Sequence, residues 1–323
     1  MKRADFDATP CTELINALAR QEQNELLRAF GRIEPRKRFK THSSHPLLEQ
    51  RPRSNLYIDE AGKSFPQPAI IPDFFALGAI ALPEEEADNY CVAANDLKLE
   101  FFGTTKITFH EPDMREHVGP YYFSGDATRQ REFDEAIDGL VAKTDFRAFG
   151  VGVRKTAFER EFLATGIDPY LPTDAYAVAI IMLLERYIDF LATNPAKRLG
   201  RGTFESHGPL EDAYHQLEYA RTLLEGSQWV PESAFRNWLE PGLRFTVKQG
   251  SDPMELADML SRDLYEWVRG ACAVNPKRWD VFSRKIYCRG DGRMGKFGVK
   301  VFPDSDIRDA VEAHRAACGA TTA

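Results

Sequence analysis

Residues 172–194, PTDAYAVAIIMLLERYIDFLATN, are the most apolar stretch of the chain and constrain its fold more than any other. Proline at the start suits a first helical turn. Apolar residues recur on most faces, so the pattern predicts a helix buried on nearly every side. Arg186 and Asp189 interrupt it too early for a bilayer span, which needs roughly 18 or more apolar residues in a row. A helix of this kind is expected to lie across a sheet, as part of a core large enough to cover it.

Candidate strands are present on both sides. NLYIDEAG (55–62) and FFALGAIAL (74–82) read as neighbouring strands joined by a loop with Pro66, Pro68 and Pro72. A helix is expected over 83–100, opening PEEEAD with acids at its positive end. TKITFHEPDM (105–114) reads as a short strand followed by His110 and Glu111. ATRQREFDEAIDGLVAK (127–143) reads as a helix and FRAFGVGVRK (146–155) as a strand. RLGRGTFES (198–206) is expected to be the next strand, ending at Glu205, with PLEDAYHQLEYARTLLEG (209–226) as a helix stopped by Gly226. WVPESAF (229–235) and LRFTVKQ (243–249) read as short strands, and DPMELADMLSRDLYEWVRG (252–270) as a strong helix. Strands alternating with helices predict an α/β domain over 55–270.

Two segments flank it. Residues 11–30 carry the spacing of an amphipathic helix, suited either to docking on this chain or to binding a protein partner. Residues 31–54 are basic and punctuated by proline, either a solvated connector or an arm that contacts phosphates. At the other end, in the 271–323 extension, KRWDVFSRKIYCRGDGRMGKFGVKVFP (277–303) has two β-like stretches around a turn. Its basic residues interleave with Trp279, Phe282, Tyr287 and Phe297, the composition either of a charge-protected edge pair or of a groove for single-stranded nucleic acid.

A net charge of −7 argues against a surface that coats nucleic acid or anionic membrane throughout, while leaving room for a local basic strip. The five cysteines are scattered, and no histidine pair has metalloprotease spacing, so any metal is expected to be held mainly by oxygen. With no apolar run long enough for a membrane span, the chain reads as cytoplasmic.

The acids are the more informative signal. Asp59 and Glu60 follow the first strand, Glu111 follows ITFH, Glu205 ends GTFE, and Asp258 sits among Leu256, Ala257, Met259 and Leu260. A carboxylate at a buried strand tip or inside an apolar helix face is expensive unless compensated. Taken singly, each has an ordinary explanation: Asp59 and Glu60 cap a turn at Gly62, and Asp258 pairs with Arg262. Taken together, acids at strand C-termini line the crevice where α/β sheets bind ligands. There a hard cation, Mg²⁺ or Mn²⁺, would cancel their repulsion.

The order YIDEAG, FFALGAIAL, ITFHEPDMR, FRAFGVGVRK, FESHGPLEDAYHQLEY, LRFTVKQ and MELADML resembles the bacterial and phage family catalogued as domain of unknown function 3800. The resemblance covers about residues 55–270. It implies a ribonuclease H-like fold, a five-stranded mixed sheet flanked by helices with acids gathered for divalent metal. It implies Asp59, Glu205 and Asp258 as metal ligands, with Glu60, His110, Glu111 and Asp212 close by. Ala61 stands where the family usually has serine, and Glu255 where glutamine is common.

The function expected on this footing is a divalent-metal-dependent nuclease or phosphodiesterase that hydrolyses DNA or RNA with metal-activated water. His110 would move protons near the leaving group. The alternative is a non-catalytic protein that binds nucleic acid or a partner within a bacterial defence or mobile-element module. Glycoside hydrolysis by paired carboxylates ranks last, because no aromatic sugar platform accompanies the acids.

Overall fold

The computed structural model describes residues 51–63, 73–163, 174–247, 250, 252–273, 275–288, 298–304, 309–310 and 313. The chain divides into Met1–Arg51 and Pro52–Ala323, and every named element belongs to the second unit. The expected helix over 11–30, residues 31–50 of the basic segment, the prolines of the 64–72 loop and the 289–297 turn lie outside the described residues.

Six strands form one mixed sheet: β1 (Arg53–Gly62), β2 (Phe74–Pro83), β3 (Arg147–Arg154), β4 (Leu199–Glu205), β5 (Arg244–Thr246) and β6 (Val299–Phe302). The spatial order is β5-β4-β1-β2-β3-β6. β2 is antiparallel to both its neighbours, β1 and β3, whereas β4 runs parallel to β1, β5 to β4 and β6 to β3. The helices among the described residues are α1 (Glu84–Phe102), α2 (Glu111–Glu116), α3 (Ala127–Lys143), α4 (Lys155–Phe158), α5 (Ala175–Thr193), α6 (Pro209–Glu225), α7 (Glu232–Trp238), α8 (Met254–Arg269) and α9 (Trp279–Ser283).

Side chains alternate across the sheet, and each face has its own core. Leu56, Ile58, Leu77, Val151 and Phe204 pack under α5, the apolar helix, with Ile180, Leu183 and Leu184. Tyr57, Ala61, Ala76, Ile80 and Ala148 pack under α8 with Leu256, Leu260 and Leu264.

α8 lies close to the sheet because glycine lets it. Asp59 pairs with Gly78 across β1 and β2, and Gly78 pairs with Gly150 across β2 and β3, so the three form one row. A Cβ on Gly78 would fall 2.5 Å from the Ser261 backbone nitrogen, and one on Gly150 would fall 2.6 Å from Leu264 Cδ2. Three residues of helix advance about 4.5 Å, close to the spacing of about 4.8 Å between adjacent strands. The helix therefore steps from β2 at Ser261 to β3 at Leu264. The helix also packs on β1.

Three expectations change. Residues 104–110 form no regular strand. The amides of Phe109 and Glu111 instead donate to Glu255 Oε1 at 2.6 Å and Asp258 Oδ2 at 2.8 Å. The segment WVPESAF supplies the start of α7, with Pro231 as its cap and Glu232 in its first turn. The sheet has six strands rather than five, because β6, from the segment expected as a C-terminal extension, pairs with β3. In the same segment Trp279 begins α9, and Arg278, Trp279, Phe282 and Tyr287 are buried. Trp279 stacks on Trp267 of α8 at 4.8 Å. These aromatics are core residues, so they offer no exposed faces on which bases could stack.

Glu255, where the resembled family commonly has glutamine, carries a charge that is matched internally. It accepts from Lys98 Nζ at 2.7 Å and Tyr90 Oη at 2.9 Å as well as from the Phe109 amide. Lys98 and Glu255 are both fully buried. Removing one member would strand the other charge in the core. Lys98→Met is expected to lower stability to urea by about 3–5 kcal/mol, and the double variant Lys98→Met/Glu255→Gln to recover a large part of that loss.

Candidate metal centre

The last register pair between parallel strands β1 and β4 is Ile58 with Phe204. Both face α5, so the next residues, Asp59 and Glu205, stand side by side on the α8 face. Asp59 is 3% exposed. With His207 they form a set whose ligand atoms lie within 4.8 Å of one another. Among the described residues this is the group that could hold a metal ion.

The turn after β4 is tied down. Ser206 N–H donates to Thr246 O at 2.8 Å, closing the turn against β5. The Ser206 hydroxyl donates to Asp212 Oδ2 at 2.7 Å and the His207 amide to Asp212 Oδ1 at 3.2 Å. Gly208 then takes φ +120, a region open to glycine, to turn the chain into α6. Asp212 thus holds the loop that carries Glu205 and His207.

The remaining expected residues take different places. Asp258 is buried on α8, accepts the Glu111 amide, and is not a member of the 4.8 Å set. Arg262, the partner expected for it on ordinary grounds, bonds Glu266 at 2.6 Å. Glu111 is 1% exposed; its Oε1 accepts from Arg115 Nε at 2.7 Å, and its Oε2 has no hydrogen-bond partner among the described residues. His110 is half-exposed, with Nδ1 3.0 Å from Asp113.

Glu60 points to the α5 face, as alternation from Asp59 requires. Burial raises its carboxyl to about 7, and Asp59, Glu211 and Glu205 push in the same direction. His215 Nε2 lies 3.9 Å from Glu60 Oε2. Burial holds that imidazole down to about 4, so at neutral pH it brings no positive charge to Glu60. His215 stacks on Tyr176 at 4.4 Å, and its Nδ1 has no hydrogen-bond partner among the described residues.

Sequence reasoning missed His207. The signal was available: it stands two residues after Glu205, the spacing that returns a strand to the same face. His215 gave no comparable signal, since its approach to Glu60 depends on how α6 packs.

The electrostatics predict a pH dependence. Glu60 titrates near 7 in the folded chain against 4.5 ordinarily, so folding is favoured below the ordinary value and that contribution disappears as pH rises through 7. Chelator-treated protein is expected to lose stability to urea from about pH 5 to about pH 8. Glu60→Gln is expected to lose less, by up to roughly 3 kcal/mol. Equal slopes for the two proteins would contradict the assignment. No family model, curated protein or solved structure matches this chain, so the reading of this centre rests on its own residues.

Proposed function

We propose that this chain is a divalent-metal-dependent phosphodiester hydrolase, a nuclease acting on DNA or RNA, on a ribonuclease H-like variant of its mixed sheet. The observation that carries the proposal is the convergence of Asp59, Glu205 and His207 within 4.8 Å at the tips of two parallel strands. The fold reading is supported by the order β5-β4-β1-β2-β3, with its antiparallel β1-β2-β3 and parallel β1-β4-β5 portions. The likeness of YIDEAG and MELADML to the strings of domain of unknown function 3800 points the same way.

The donor set fits a divalent cation. Two carboxylates and an imidazole gather at one point, and the adjacent Glu60 carboxyl is raised by burial and further by Asp59, Glu211 and Glu205. Asp59 and Glu205 would hold the ion, and Asp258, buried on α8, is the third acid proposed for it. When bound, Mg²⁺ or Mn²⁺ supplies Lewis-acid polarisation of a phosphoryl oxygen and a lowered pKa for water. Asp212 fixes the loop that presents Glu205 and His207, and the Glu255 and Asp258 carboxylates fix the segment that presents His110. His110, half-exposed, would be the group to give a proton to a leaving oxygen. The chain is acidic overall, so an anionic backbone would approach this crevice only with a cation in it.

Incubation with single- and double-stranded DNA and RNA, in Mn²⁺, Mg²⁺ or chelator, tests the proposal. Cleavage is expected with metal alone, and Asp59→Asn is expected to slow it at least about a thousandfold, the several kcal/mol assigned to such an ion. Asp258→Asn should also impair it. Stoichiometric binding of nucleic acid, unchanged by chelator and by Asp59→Asn and without cleavage, would support the non-catalytic reading instead.

A further inference from the structure

The imidazole in the donor set bears on which cation the centre takes. His207 Nε2 lies 3.9 Å from Glu205 Oε2, on the side of the Asp59 group, while Nδ1 lies 3.9 Å from Glu211 Oε2 on the first turn of α6. A histidine that ligates a metal through one ring nitrogen commonly presents the other to a carboxylate, which fixes the tautomer and makes the ligating nitrogen more basic. The backbone of His207 is held as well, by its amide bond to Asp212. A second imidazole stands at the same end of the sheet: His215, 5% exposed, aims Nε2 at Glu60 and leaves Nδ1 unpartnered.

Carboxylate oxygens suit Mg²⁺, whereas imidazole nitrogen favours later divalent metals of the first transition row. We infer that His207 is a direct metal ligand oriented by Glu211, and that it biases the centre toward a transition-metal dication such as Zn²⁺ and away from Mg²⁺. The inference rests on the cation reading of the Asp59 group and deepens it by assigning a nitrogen donor, a positioning residue and a preference. His207 would contribute the lone pair of Nε2 and keep its hydrogen on Nδ1, the side on which Glu211 Oε2 stands 3.9 Å away.

Two measurements on the full chain test it without recourse to catalysis. In pulsed electron paramagnetic resonance of the Mn²⁺-loaded protein, a directly coordinated nitrogen is expected in the wild type and in His215→Gln, and its loss in His207→Gln. In calorimetric titration with Zn²⁺ and Mg²⁺ separately, His207→Gln is expected to lower the preference for Zn²⁺ at least about tenfold, chiefly by weakening Zn²⁺. Glu211→Gln is expected to weaken Zn²⁺ about tenfold through the imidazole. His207 and Glu211 are both solvent-accessible at a loop and a helix start, and circular dichroism checks that the variants fold. Mn²⁺ binding without nitrogen coupling, or coupling that survives His207→Gln, overturns this inference and leaves the cation reading standing. Failure of the wild type to bind any of these ions at millimolar concentration overturns both.

Discussion

The close approach of α8 to the sheet is the constraint on which the rest of the molecule depends. With side chains at Gly78 and Gly150, Ser261 and Leu264 would be pushed away from β2 and β3, and the helix would ride higher. Because the row Asp59-Gly78-Gly150 carries no Cβ at its second and third positions, the helix can lie close against β2 and β3. The helix packs on β1 as well, and its first turns carry Glu255 and Asp258. The same turns hold two alternate amides of the 104–111 segment through Glu255 and Asp258. One packing contact thus orders the acids, the segment with His110 and one face of the core.

The buried acids divide into two kinds. On α8 and its neighbours Glu255 is matched by Lys98, and Glu111 and Asp263 by Arg115. Burial raises the carboxyls of Glu255 and Asp263, but the lysine and arginines beside them pull the other way. At the tips of β1 and β4 the balance differs. Burial raises Glu60, and the three neighbouring charges acting on it, from Asp59, Glu211 and Glu205, are all negative. The imidazole nearest to it is held neutral. Groups that pair within the chain stabilise the fold, whereas burial and the like charges around Glu60 oppose folding with its carboxyl ionised.

Much of this architecture was legible in the sequence. The strand-forming runs NLYIDEAG and FFALGAIAL, the apolar run of α5, and the glycine that stops α6 each specify local structure strongly. Asp59, Glu205 and Asp258 stood out because each interrupts an apolar pattern. What could not be read depended on partners far along the chain. Residues 104–110 have strand-like side chains, yet form no regular strand, and the Phe109 amide goes to Glu255. The charge on Glu255 looked surplus until Lys98, 157 positions away, was seen against it. Trp279, Phe282 and Tyr287 have the composition of a basic aromatic ribbon, but tertiary packing placed them inside. His207 was hidden by a general expectation of oxygen ligands, although its spacing from Glu205 was in plain view.

The central claim is that Asp59 and Glu205 share a cation at the tips of β1 and β4. Diffraction data collected at the manganese absorption edge from crystals grown in Mn²⁺ test it most directly. The account predicts an anomalous peak within about 2.0–2.3 Å of a carboxylate oxygen from each residue. Full occupancy of Mn²⁺ elsewhere on the chain, with Asp59 and Glu205 turned apart and no peak between them, would contradict it.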